Sequence, residues 1–257
     1  MFEYLIVVGL FRTMGFERLN HLIDCLALGA LIVLLISYTL SKILRSSLPG
    51  AVIKYTPELI EDNLQTCLIE ELAALDWTKD EVTIGKNQYK LGRATQVFGD
   101  KEILQKKPPA IWGNTRQIHP WTPSMLRVKN LVELKTGCQY NVCLVNYYAD
   151  GKDFIHWHSD KEELGDRNSI ASVSLGKPRH FLFRVKSRLS SRRLAWLRFI
   201  SGRWWSRYNV ILDLVLASGS LLFMGKNCQE LYEHTLPKDS TVTERRFNLT
   251  FRRFHYT

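Results

Sequence analysis

The sequence predicts an α+β protein, mainly β, in which helices pack on a β-sandwich or jelly roll, preceded by an N-terminal apolar helix. Three observations predict it. Residues 57–75 carry Leu59, Ile60, Leu64, Leu68, Leu72 and Leu75 at three- and four-residue steps, the period of one helical face. A second stretch, 125–134, repeats that spacing with Leu126, Val128, Leu131 and Leu134. Beyond Gly137 the pattern changes to short β-rich runs, CLVNYY, SIASVSLG, HFLFRV, ILDLVLASGSLLFM and FNLTFRRF, separated by turn residues. Helices first and many short strands after is the order expected of helices laid on a sandwich.

The apolar segment comes first along the chain. Residues 25–41 run for 17 residues without a charge, and with their apolar neighbours the stretch from about 22 to 44 is long enough to span a bilayer. Lys42, Arg45 and Lys54 follow it, while Arg12 and Arg18 before it are offset by Glu3, Glu17 and Asp24. This asymmetry leans toward a cytoplasmic C-terminal portion. A Ser-Ser-Leu-Pro-Gly break at 46–50 reads as a linker, which divides the chain into an N-terminal segment, 1–47, and a domain, 48–257. Composition bounds that domain. The chain has 257 residues, is 46% hydrophobic, and carries 35 Lys+Arg against 25 Asp+Glu, a net charge of +10. Disordered, collagen-like and small disulfide-stapled classes are excluded, and an anionic partner is indicated. The five cysteines are odd in number and form no C-x-x-C pair, which argues against a thiolate zinc site and for buried thiols in a reducing compartment.

His156-Trp157-His158-Ser159-Asp160 is the densest cluster of metal ligands. In an extended segment alternate side chains share a face, so His158 and Asp160 can address one ion, with His156 as a rival. His234, shortly before Pro237, is the best third ligand. Two imidazoles and a carboxylate on one face of an octahedral metal leave positions open, the arrangement of non-haem iron(II) oxygenases. The C-terminal run RRFNLTFR alternates in the same way. Arg246, Asn248, Thr250 and Arg252 face one side, and Phe247, Leu249 and Phe251 face the core. Two guanidiniums on one face can hold the carboxylates of a dicarboxylic acid, although a solvated basic edge strand would share the pattern.

From about Ala51 onward the chain resembles the AlkB-type dioxygenases that depend on iron(II) and 2-oxoglutarate. The matching pieces occur in family order: RATQVFGD at 93–100, HPWTP at 119–123, Asn146 to Tyr148, His158 to Asp160, SLGKPRHF at 174–181, SGSLLFM at 218–224, His234, and RFNLTFR at 246–252. The Arg-x-Asn-x-Thr-Phe-Arg spacing of the last is close to a signature. The resemblance covers about four-fifths of the chain and implies a double-stranded β-helix. It implies that His158, Asp160 and His234 ligate iron(II). Arg246 and Arg252 would hold the carboxylates of 2-oxoglutarate, with Asn146, Tyr148 and Asn248 completing that pocket. Dioxygen is the other co-substrate. The implied activity is oxidative demethylation of N-alkylated nucleic-acid bases, N1-methyladenine and N3-methylcytosine, with release of formaldehyde, succinate and carbon dioxide. Such a base must be flipped out or single-stranded to be reached. Arg93 and the nearby aromatics Phe98, Trp112 and Trp121 occupy the nucleotide-covering segments, with Tyr148 a further stacking candidate, and Glu162 stands where the family carries an acid facing the base.

Two features lie outside the family's minimal domain. One is the apolar segment, which keeps open a second reading as a membrane-associated oxygenase of a protein, lipid or small molecule. The other is a basic aromatic insertion, 186–209. Residues 184–207 hold eight basic residues, no acidic one, and Trp196, Phe199, Trp204 and Trp205. Leu194, Leu197, Ile200 and Trp204 suggest a short helix broken at Gly202, and the segment reads as docking on phosphates, of nucleic acid before those of a bilayer, with a solvated surface excursion as the plain alternative. Outside this segment, 27 basic residues face 25 acidic, so the rest of the chain is near neutral. A monomer is expected, cytoplasmic or nuclear, with the apolar segment available as an anchor.

Overall fold

The computed structural model describes residues 48–79, 81–84, 87–104, 118–160, 166, 169–201 and 210–254. The apolar segment, Trp112 and Glu162 therefore lie outside the described residues. Among the described residues no helix is long and apolar enough to cross a membrane.

Thirteen strands and five helices follow one another among the described residues: β1 (Ile53–Thr56), α1 (Asp62–Ala73), β2 (Glu81–Ile84), β3 (Asn87–Lys90), β4 (Ala94–Gly99), α2 (Lys101–Leu104), β5 (Ile118–Pro120), α3 (Pro123–Thr136), β6 (Val142–Tyr148), β7 (Ile155–His158), β8 (Ile170–Gly176), β9 (Arg179–Val185), α4 (Ser191–Ser201), β10 (Val210–Leu216), β11 (Leu221–Met224), α5 (Cys228–Leu231), β12 (Tyr232–Leu236) and β13 (Arg246–Arg252). A seven-stranded sheet has the order β1-β11-β8-β13-β6-β4-β5, a four-stranded sheet β10-β9-β12-β7, and β2 and β3 form a hairpin.

The large sheet is buried on both faces. On one, Leu64, Leu68 and Leu72 of α1 and Met125, Val128 and Val132 of α3 pack with Val145, Val173, Phe247, Leu249 and Phe251. On the other, Ile170, Leu222 and Met224 meet Phe183, Val185, Leu212 and Leu236 of the small sheet. All seven residues of β13 are buried, as expected for a central strand sandwiched between two cores. The helices-on-sandwich architecture of the sequence is thus present, with two local corrections. Helix α1 begins at Asp62 rather than near Pro57, because the amides of Leu59 and Ile60 bond the carbonyl of Gly219, at 2.9 and 3.1 Å, in place of an intrahelical partner. The buried stripe of α3 is Met125, Val128 and Val132, leaving Leu126 and Leu134 exposed. The helix starts on Thr122, whose hydroxyl accepts from the Met125 amide, and stops at Gly137 with φ 70°. The run ILDLVLASGSLLFM is split between the two sheets. β10 belongs to the small sheet and β11 to the large one, and the turn between them holds Gly219 at φ 73°.

The insertion forms α4 as expected. It is no free excursion, since Leu194 and Leu197 are buried in the inter-sheet core while Trp196 and Phe199 stay exposed. Of the described cysteines, Cys143 and Cys228 are buried, Cys138 partly so, and Cys67 is exposed, so burial holds for only part of the set.

Candidate active site

The site lies between the two sheets. On the small sheet, β12 pairs with β7 in a register that sets His234 opposite His158. Their rings meet edge to face with centroids 4.3 Å apart. Asp160 follows β7 directly. The ligand atoms of His158, Asp160 and His234 all lie within 4.8 Å of one another, so the three could hold one metal ion. The rival His156 points away, its ring against Phe154, and only its carbonyl takes part. That carbonyl lies 2.8 Å from His158 Nδ1, which makes Nδ1 the protonated nitrogen and leaves Nε2 for a metal.

Electrostatics suit that role. Burial disfavours the Asp160 anion, but Arg252 foremost, then His234 and His158, more than offset it and hold the carboxyl well below its usual range. Burial lowers His158 despite the Asp160 charge. Burial, reinforced by His158, brings His234 down to about 3. The triad near neutral pH is therefore one carboxylate and two neutral imidazoles, the forms that bind metal. Gln229 accepts from the Asp160 amide at 2.9 Å and so fixes the turn that presents the carboxylate.

The large sheet supplies a polar row across four strands. Its registers align Thr95 with Asn146, Asn146 with Asn248, and Asn248 with Ser174. Arg93 Nε donates to Asn146 Oδ1 at 2.6 Å, and Asn146 Nδ2 to Asn248 Oδ1 at 3.3 Å. Asn248 in turn donates to Ser172 Oγ and the Val173 carbonyl. Both of its amide hydrogens are thus engaged, and it orders Asn146 while lining the cavity. Arg252 pairs with Asp160 at 2.5 Å, and Arg246 donates to Ser174 Oγ at 2.8 Å with its guanidinium 5.3 Å from the Tyr148 ring centroid. Both arginines are 2% exposed. Burial lowers Arg246 to about 10, and among the described residues no carboxylate pairs with it. Arg246 Nε and Arg252 Nε and Nη1 are buried without a partner. Buried guanidinium hydrogens left unbonded call for an anion, and a dicarboxylate has the right chemistry for two such groups. The residues present thus fit both an octahedral divalent ion and 2-oxoglutarate.

A cavity of about 210 Å³ joins the two halves, lined by the triad, Arg93, Asn146, Tyr148, Asn248 and Arg252. Two sequence expectations fail here. Phe98 is 2% exposed in the core beneath α1 and α3, because alternation along β4 turns it to the face opposite Thr95. Trp121 stacks on Phe251 of that same core and donates to Asp100 Oδ1 at 2.6 Å. Neither ring can stack on a ligand in the cavity. Four contributors were missed. Ser172 and Ser174 had a signal, the alternation of SIASVSLG. Gln229 had none, since it sits in the one-turn helix α5. Arg179, buried and donating to the carbonyls of Asp150, Asp153 and Pro237, braces the loop before β7 against the end of β12.

The comparisons agree with this geometry. DNA oxidative demethylase ALKBH2 of Bos taurus is 38% identical over 169 residues, covering 62% of this chain and 56% of that protein. ALKBH2 of Homo sapiens is 39% identical over 173 residues, covering 63% and 61%. The alpha-ketoglutarate-dependent dioxygenase alkB homolog 3 of Bos taurus is 36% identical over 176 residues, covering 68% and 54%. The chain therefore spans a little over half to three-fifths of the length of these relatives. The profile of the 2OG-Fe(II) oxygenase superfamily matches residues 52–252, an interval that begins at β1, ends at β13 and contains the triad and both buried arginines. The chain belongs to the 2OG-Fe(II) oxygenase superfamily.

Proposed function

We propose that this protein is an oxidative demethylase of N-alkylated nucleic-acid bases, of the N1-methyladenine and N3-methylcytosine type. The observation that carries the reading is the meeting of a His158–Asp160–His234 triad with the under-partnered guanidinium of Arg252 in one cavity, beside a second buried guanidinium, that of Arg246, 5.3 Å from the cavity-lining ring of Tyr148. The substrate class is supported by relatives whose names describe DNA oxidative demethylases.

Iron(II), with 2-oxoglutarate and dioxygen, supplies the oxidation of a methyl C–H bond that no side chain can perform. The chain's own residues prepare that chemistry. Arg252 keeps Asp160 ionised, and burial keeps His158 and His234 neutral, so three ligands are available without prior loss of a proton. Arg246, beside Ser174 and Tyr148, takes the distal carboxylate, and the free donors of Arg252 serve the proximal one. A cavity of about 210 Å³ admits a base but no duplex, so the target arrives flipped out or single-stranded. Arg192, Trp196 and Phe199 on the exposed side of α4 dock the flanking phosphates and bases.

The test is a substrate panel. The full chain with iron(II) and 2-oxoglutarate is offered single-stranded oligonucleotides carrying one methylated base, methylated peptides, or lipids. Succinate formation should rise with the oligonucleotides alone, and a rise with peptide or lipid instead contradicts the proposal.

A further inference from the structure

The polar groups of the cavity can be assigned one by one. Three would ligate a metal ion, and Arg252 would face an anion. Ser172 is engaged with Asn248, Thr250 donates to Asn248 at 3.1 Å, and Asn146 lies between Arg93 and Asn248. Thr95 is left over. Its Oγ1 is buried and has no hydrogen-bond partner, the one uncharged hydroxyl of which this is true among the described residues. Its isolation is built in. The register places Asn146 beside it, but that amide's oxygen accepts from Arg93 and its nitrogen donates to Asn248, and neither bonds Thr95 Oγ1. The opposite neighbour, β5, pairs with β4 only from Val97 onward, so no partner comes from that side. Burying a hydroxyl unpaired is costly, and valine at this position would remove the cost.

We infer that the Thr95 hydroxyl is a substrate-binding group, which accepts a hydrogen bond from the exocyclic amine of the methylated base. The inference rests on the function proposed above. It follows from position: Thr95 is on β4, separated from β13 and its two arginines by β6, so it lies on the side of the cavity away from the carboxylate donors. N1-methyladenine and N3-methylcytosine both carry an exocyclic amine next to the alkylated nitrogen, and the cationic ring makes that amine a strong donor. Leu91 and Leu144 line the same cavity and exclude competing water. Arg93, held by its bond to Asn146, keeps the neighbouring amide from turning to take the hydroxyl for itself.

The experiment compares wild type, Thr95→Val and Thr95→Ser in the full chain. It reads the KM for a single-stranded oligonucleotide with one N1-methyladenine, the KM for 2-oxoglutarate, and the Tm of the metal-free protein. The valine variant should raise the oligonucleotide KM about tenfold, the loss of roughly one hydrogen bond to a charged donor. Its KM for 2-oxoglutarate should stay within about twofold. Its metal-free Tm should be unchanged or higher, and the serine variant should restore the oligonucleotide KM. A raised 2-oxoglutarate KM with an unchanged oligonucleotide KM would assign the hydroxyl to the co-substrate and overturn the inference. So would a lowered Tm, which reveals a protein partner. If wild type turns over no methylated oligonucleotide, the proposed function fails. The Tm and the 2-oxoglutarate KM in substrate-free turnover then still decide whether Thr95 serves the protein, the co-substrate or neither.

Discussion

Replacing Arg252 with methionine probes the link between the two halves of the site. The side chain keeps its length and apolar stem but loses the charge that faces Asp160 at 2.5 Å, with both groups almost fully buried. Removing one member of a buried pair leaves the other charge uncompensated, which costs about 3–5 kcal/mol. For a domain of this size that corresponds to a fall of about 6–20 °C in Tm. Chemistry changes along with stability. Arg252 is the largest influence lowering Asp160, so without it burial dominates and the carboxyl rises toward neutrality. Metal must then displace a proton, and affinity becomes pH-dependent. The assay is thermal melting of the metal-free protein, followed by manganese(II) titration at pH 6 and pH 8. Arg252→Met should melt lower and bind manganese more weakly at pH 6 than at pH 8, whereas wild type changes less. Part of the lost Tm should return at saturating manganese, because the ion replaces the missing positive charge. A variant with wild-type Tm and wild-type manganese affinity at both pH values would refute the assignment of Arg252 as the counter-charge of Asp160.

The other expectations follow from the same geometry. Arg246→Met should raise the KM for 2-oxoglutarate by about 10- to 100-fold, the worth of a charged hydrogen bond, with manganese affinity near wild type; isothermal titration and steady-state kinetics check both. His158→Ala should abolish turnover while leaving oligonucleotide binding largely intact by fluorescence anisotropy. Because His234 is held near 3, far below its ordinary 6.5, the unfolded chain takes up a proton that the native state refuses. Metal-free stability should therefore decline as pH falls below 6.5, by up to about 1.4 kcal/mol per unit until the native pKa is reached, and urea melts of His234→Asn should lack that contribution. Combining Arg192→Ala with Trp196→Ala and Phe199→Ala should weaken oligonucleotide binding and reduce the slope of log affinity against log salt by about one. The core-facing Leu194 and Leu197 are left in place in that variant.

Much of the fold was legible because periodicity reports burial. The alternation of 246–252 named which residues face the cavity and which the helices, and β13 has that arrangement. The metal triad was legible too, from residue type and spacing together with the resemblance to AlkB-type enzymes. What alternation does not encode is which sheet a strand joins. Nothing in ILDLVLASGSLLFM says that its two halves join different sheets, and Gly219 at positive φ marks the crossing. Face assignment failed for the same reason at Phe98 and Trp121. An aromatic in a matching motif can serve the core or the cavity, and only packing separates the two. Leu126 and Leu134 show the helical version: they share a period with Leu131, yet α3 turns Met125, Val128 and Val132 inward. Gln229 carried no pattern at all. Its importance comes from a single backbone bond to Asp160, made by residues 69 positions apart in sequence.

With iron(II) and 2-oxoglutarate bound, the triad and the two buried arginines should support conversion of a methylated base to the unmodified one. Mass spectrometry of a single-stranded oligonucleotide with one N1-methyladenine, incubated with the full chain, iron(II) and 2-oxoglutarate, tests it most directly. The methyl group should be lost in step with succinate formation, in wild type and not in His158→Ala. An oligonucleotide that keeps its methyl group while succinate accumulates, or one that loses it equally well with His158→Ala, would contradict it.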